Sequence, residues 1–177
     1  NVNRVVQAAV QAEGAPGAAA FVSHRAAGRH FARDGLAGQG LAFGPDTVVR
    51  CHSLSRVIVS LAVMRFVDRG DLGLNEPVYH FLGPKWRAEA MRVVRLTPEI
   101  GAPEWERCRS HITIKQLLTH TSGLPSQHPE EMAALEDRIE RLASEPLLFQ
   151  PGEQFLYSVA TDVLGLVLER LARAPLD

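Results

Sequence analysis

Val2, Val5, Val6, Ala9 and Val10 are apolar at the spacing of one helix face, with Gly14 behind them as a stop, which predicts an N-terminal helix. Ala18 to Ser23 and His30 to Arg33 have the short apolar pattern of two strands, folded back at a turn around Ala27-Gly28. The glycines at 35, 38 and 40 lack the lysine and fingerprint spacing of a phosphate loop, so they read as turns leading to a short strand, Thr47 to Arg50. From Ser53 to Arg69 almost every position is apolar, the pattern of a helix buried on all sides, and Gly70 ends it.

Beyond Gly70 the pattern weakens and then recovers. Pro77 to Phe81 reads as one further helical turn, whereas Gly83 to Ser110 is charged, carries Trp86 and Trp105, and has no clean period. That segment reads as an insertion or a contact surface. Thr113-x-x-Gln116 is a capping box opening a short helix to His120. Pro129 to Ala143 reads as a helix with Pro129 in its first turn and Glu130 and Glu131 at its positive end. Phe149 to Tyr157 turns at Pro151-Gly152, and Val159 to Ala172 is a last helix, stopped by Pro175.

Composition excludes some roles. The 177 residues are 46% hydrophobic and 22% charged with a net charge of −1 and no basic run, unlike a chain that tracks phosphates. The most apolar run, Val57 to Val67, is interrupted by Arg65 and falls short of a membrane span. Asn1 to Gln11 has the mixed pattern of an amphipathic helix and no signal-peptide character. Cys51 and Cys108 make no disulfide framework, so a reducing compartment is expected, with the location otherwise open. Cys51-His52 with Cys108-x-x-His111 does not have standard zinc spacing, so no metal and no cofactor is expected. Only two of the nineteen basic residues are lysines, Lys85 and Lys115, and the other seventeen are arginines. A catalytic amine therefore has few candidates.

Three stretches carry a resemblance. Ser53-Leu54-Ser55-Arg56 is followed by Asp68-Arg69-Gly70-Asp71-Leu72-Gly73-Leu74-Asn75-Glu76-Pro77. Next comes Ile112-Thr113-Ile114-Lys115-Gln116-Leu117-Leu118-Thr119-His120-Thr121-Ser122-Gly123-Leu124-Pro125. Last is Phe149-Gln150-Pro151-Gly152 with Tyr157-Ser158-Val159 and Asp162-Val163-Leu164-Gly165. In order and spacing the chain resembles the serine β-lactamase-like superfamily of class C β-lactamases, DD-peptidases and esterases. The resemblance implies an α/β (α+β) fold, an antiparallel sheet flanked by helices. It implies a single partial domain. Residues 1–51 would form the helix and hairpin, 52–71 the core helix, 72–145 a helical region with an insertion at 83–110, and 146–177 a loop and final helix. The family's last sheet strands have no counterpart in this sequence, so a longer polypeptide or a protein partner would complete the sheet.

The resemblance places the nucleophile at Ser53, with its base one helical turn on, where both side chains share a face. That position holds Arg56. A guanidinium stays protonated and has donors but no acceptor, so it cannot take the hydroxyl proton. The family's Tyr-x-Asn keeps its tyrosine at Tyr157 and loses its amide at Val159. Without a lysine beside it, a tyrosine with an ordinary phenol pKa of about 10 is rarely the phenolate base, although a fixed cation such as Arg56 would favour that role. The family's third motif, Lys-Thr-Gly or His-x-Gly, does not occur as a C-terminal strand. His120 reads as a packed or loop-bonding residue, and Ser55 as pointing away from the face of Ser53.

Three functions follow from these features. The first is a degenerate hydrolase kept as a structural or interaction subunit, with Trp86 and Trp105 in its contact surface. The second is an active esterase or amidase using Ser53 with Tyr157. The third is an inert pocket that holds an anion through Arg56. For 83–110 the alternative to a partner surface is a lid over the pocket. By analogy with envelope and mitochondrial members of the superfamily, a mitochondrial or large-assembly setting fits the first.

Overall fold

The computed structural model describes residues 2–38, 40–95, 104–127 and 134–176. Its contacts divide the chain into two compact units, Asn1–Cys51 and His52–Asp177.

In the first unit, α1 (Val2–Glu13) packs on a sheet in the order β1 (Gly17–His24), β2 (Gly28–Gly38), β3 (Leu41–Ala42), with antiparallel pairs. The first hairpin is longer than its apolar run suggested, because β1 and β2 pair from Gly17↔Gly35 to His24↔Gly28. At its open end the backbones cross closely. A Cβ on Gly17 would lie 2.4 Å from the Leu36 nitrogen, and one on Gly35 would lie 2.3 Å from the Pro16 oxygen. At the turn, His24 Nδ1 faces the amides of Ala26 and Ala27 at 3.3 and 3.2 Å, closing a three-residue loop. Thr47 to Arg50 is not a strand; Leu41–Ala42 pairs with β2 instead, across an irregularity between Leu36 and Gly38. Only Val6 and Ala32 are buried among this unit's described residues.

The second unit is built around its last helix. Its elements are α2 (Ser55–Asp68), α3 (Tyr79–Leu82), β4 (Arg92–Arg95), β5 (Glu104–Arg107), α4 (Ile114–Leu118), α5 (Leu135–Leu142) and α6 (Ala160–Ala172). Helices α2, α3, α4 and α5 all pack on α6, whose residues Ala160, Thr161 and Val163 through Leu168 are buried. Here the sequence pattern misled. The apolar helix expected in the middle was α2, yet only Val63 of α2 is fully buried. Val59, Ala62, Phe66 and Val67 join it on the core, while Leu54, Val57, Ile58 and Leu61 lie 64–70% exposed. A helix apolar all round carries no signal for which face is covered.

The segment read as an insertion is also more ordered than its composition suggested. Two short 3-10 turns, Pro84–Trp86 and Ala88–Ala90, lead into an antiparallel pair, β4 with β5 in the register Arg92↔Arg107 to Arg95↔Glu104. β4 continues on its other edge, where Val93 bridges in parallel to Leu147. The capping box forms as expected: the Gln116 amide donates to Thr113 Oγ1 at 3.3 Å, and the Thr113 amide donates to Gln116 Oε1 at 3.0 Å. α5 begins at Leu135 behind an extended Ala134, later than the sequence suggested, and Pro129, Glu130 and Glu131 lie outside the described residues. Among the described residues no helix is long and apolar enough to cross a membrane.

Candidate active site

Ser53 lies in a 3-10 turn, His52–Leu54, that feeds directly into α2. His52 before it adopts a left-handed backbone, φ 45°, a conformation that a residue other than glycine seldom takes without support from its surroundings. Arg56, in the first turn of α2, reaches α6. Its Nη1 donates to the Ser158 carbonyl and to Thr161 Oγ1, the latter at 3.3 Å. Its guanidinium lies 4.4 Å from the centre of the Tyr157 ring, an arrangement attractive to a cation. The structure thus brings Arg56 and Tyr157 into direct contact. No hydrogen bond joins Ser53 to either of them among the described residues.

Ser53, Ser55, Arg56, Arg138, Thr161 and Asp162 line one cavity of about 540 Å³. Ser55, expected on another face from Ser53, lines the same cavity. Tyr157 is half exposed and is not among the residues of this lining.

His120 fixes the loop that presents Tyr157. It follows α4 with φ 54°, its Nδ1 accepts the Ser158 backbone amide at 3.2 Å, and the Ser158 hydroxyl stands 3.3 Å away. Its ring lies 4.8 Å from Tyr157. An Nδ1 that accepts from a backbone amide carries no hydrogen, so the ring is neutral with its hydrogen on Nε2, a tautomer assigned from the bonding pattern. Burial, and then the charge of Arg56, push its pKa below the ordinary histidine value, in keeping with that state. His120 is a packed, loop-bonding residue, as its place in the sequence suggested. The main chain ties the same region together: the Gly152 amide donates to the Thr121 carbonyl at 2.7 Å, and the Leu156 amide to the His120 carbonyl at 3.0 Å. Gly123 is required here. Its φ is +86°, and a Cβ on it would lie 2.3 Å from the Phe149 oxygen.

Other sequence candidates separate from the site. Lys85 pairs with Glu140 at 3.4 Å, and Lys115 is exposed on α4, so neither lines the cavity of Ser53. Trp86 cannot belong to a contact surface as expected. The 3-10 turn that carries it points it into the core, where it is 2% exposed; Trp105 on β5 is 46% exposed. The Cys108 thiol donates to the Ser110 carbonyl, His111 Nδ1 accepts the Ala88 amide at 3.0 Å, and burial pushes the thiol pKa up. No metal-binding cluster is present among the described residues.

Sequence reasoning missed three residues: Ser158 and Thr161, which hold Arg56, and Arg138. Ser158 had a usable signal, because a serine just ahead of an apolar helical run is a candidate for local side-chain-to-backbone bonding, and its Oγ accepts the Ala160 amide at 3.3 Å. Arg138 had none, since one arginine on a charged helix looks like any other.

The beta-lactamase family profile matches residues 2–177. The chain is 35% identical to "Esterase EstB" of Burkholderia gladioli over 179 residues, which cover 90% of this chain and 42% of that protein. It is 30% identical to "D-alanyl-D-alanine-carboxypeptidase/endopeptidase AmpH" of Escherichia coli (strain K12) over 139 residues, 73% of this chain and 32% of that one. Among solved structures, "EstCE1, a hydrolase with promiscuous acyltransferase activity" superposes with a TM-score of 0.77 at 28% identity, covering 98% of this chain and 47% of its own. The chain thus spans less than half the length of these relatives. With the antiparallel sheet and helices of that fold, this chain belongs to the beta-lactamase family of serine hydrolases.

Proposed function

We propose that this chain is a degenerate serine hydrolase in which Ser53 is not activated, kept as a structural or interaction subunit. One observation carries the reading. The side chain one turn after Ser53 is a guanidinium whose Nη1 is spent on Ser158 and Thr161, and no arginine atom can accept the hydroxyl proton. A serine without an acceptor for its proton is a weak nucleophile. The interaction role draws on the apolar face of α2 and on half-exposed Trp105.

A second reading, an active esterase in which Tyr157 is the base, is favoured by the cation held over the tyrosine ring and by the likeness to EstB. One experiment separates the two. With the first reading, a fluorophosphonate probe leaves Ser53 unlabelled, and nitrophenyl ester turnover equals that of Ser53→Ala. Stoichiometric labelling of Ser53 would overturn it in favour of the second. Arg56→Lys restores an amine and raises labelling if the remaining geometry is sound.

A further inference from the structure

The cavity beside Ser53 is walled by two arginines, and among the described residues neither forms a salt bridge with a carboxylate. All seventeen arginines are described, and all but Arg56 and Arg138 are exposed. These two, partly withdrawn from solvent, line the same cavity. Drawing a guanidinium out of water is costly unless acceptors meet it. Arg56 meets neutral acceptors and an aromatic ring. Among the described residues Arg138 on α5 forms no ion pair, and its Nε is buried without an acceptor. Asp162 is the one carboxylate of the lining. Two guanidinium groups against a single carboxylate leave the lining with a net positive charge. Val59, Leu135 and Leu176 line it too and give it an apolar part.

We propose that this cavity binds a small carboxylic acid with a short hydrocarbon tail. Arg138 holds the carboxylate, Arg56 supplies the second positive charge, and the tail lies on Val59, Leu135 and Leu176. A planar guanidinium matches a carboxylate in shape as well as charge. The volume of about 540 Å³ lies within the range usual for small-molecule sites. Inorganic phosphate would satisfy the charge and leave the apolar wall bare. The inference goes beyond the reading of Ser53, because a free acid has no ester bond to cleave and its binding is measured whether or not Ser53 reacts.

The test is a calorimetric titration of the 177-residue chain with hexanoate and, separately, with hexanamide at low ionic strength. Hexanoate is expected to bind at least about tenfold more tightly than the neutral amide. Arg138→Gln, its fold checked by circular dichroism, is expected to reduce hexanoate to the level of the amide. Equal affinity of the parent for acid and amide overturns the proposal, and so does full hexanoate affinity in a folded Arg138→Gln. The first comparison needs no variant, so it decides even if the substitution impairs folding. Labelling of Ser53 by a fluorophosphonate would overturn the reading of inactivity and leave this binding result untouched.

Discussion

Gln150 is expected to be worth about 2–3 kcal/mol to the second unit, read from Gln150→Leu. The side chain is 3% exposed and its amide is fully used. Nε2 donates to Glu106 Oε1 at 2.6 Å and to the Arg107 carbonyl at 2.9 Å, while Oε1 accepts the Arg109 amide at 2.9 Å. It thereby pins β5 and the chain after it to the Pro151-Gly152 turn. Leucine fills nearly the same space but strands the Arg107 carbonyl and the Arg109 amide, at about 2 kcal/mol each. Burial of the added apolar surface offsets about 1–2 kcal/mol of that. Urea unfolding followed by tryptophan fluorescence, with Trp86 and Trp105 both in this unit, should show the midpoint falling by about 1–2 M at unchanged slope.

The same bond is the main reason the Glu106 carboxyl sits below its ordinary pKa. A lowered carboxyl contributes stability above its unfolded pKa and loses it as the pH falls through the folded one. Gln150→Leu should therefore also flatten the acid side of the stability profile. A midpoint within 0.2 M of the parent (roughly the resolution of the linear fit) would refute the reasoning, since it would mean the stranded groups cost nothing.

Three further outcomes are expected. Thr113→Ala removes one arm of the capping box and should cost about 1 kcal/mol in the same urea assay, with Thr113→Ser restoring most of it. Gly123→Ala combines a left-handed backbone with a contact on the Phe149 oxygen and should cost about 3 kcal/mol or more, read as a fall in thermal midpoint. His120 is held neutral below its ordinary pKa, so the stability tied to it is full above that value and is lost as the pH falls through the folded one. The urea midpoint should drop between pH 8 and pH 5, and His120→Gln should shrink that drop; an unchanged drop would remove His120 from the explanation.

Punctuation and local chemistry were the legible parts of this sequence. Gly14, Gly70, the capping box at Thr113 and the Pro151-Gly152 turn all stand where residue type placed them, because each acts within a few residues of itself along the chain. Burial was less legible. Ser53 to Arg69 and Val159 to Ala172 are both apolar, and nothing local says that α6 is enclosed by four helices while α2 is covered on one side. β4 and β5 went unread because they are four residues each and rich in charge, and their pairing rests on partners at Arg92 and Arg107 fifteen positions apart. At the site, Ser53, Arg56 and Tyr157 were named through the family resemblance, and the structure sets Arg56 against the Tyr157 ring and beside Ser53 in one cavity lining. Arg138 was not named, because only the packing of α5 against α6 draws it from solvent.

The crossing of Gly17 and Gly35 has a consequence for how this chain tolerates change. In a saturation library the two positions should both be depleted of every residue but glycine, and jointly so. Pairs of contacting residues often compensate, a small side chain on one side making room for a larger one on the other. No such trade exists here. The obstacle to a Cβ at Gly17 is the nitrogen and oxygen of Leu36, and the obstacle at Gly35 is the oxygen of Pro16; all are main-chain atoms that no substitution removes. Double variants should therefore be at least as depleted as the worse single one, and the pair should show no covariation, although the residues face each other directly across the hairpin.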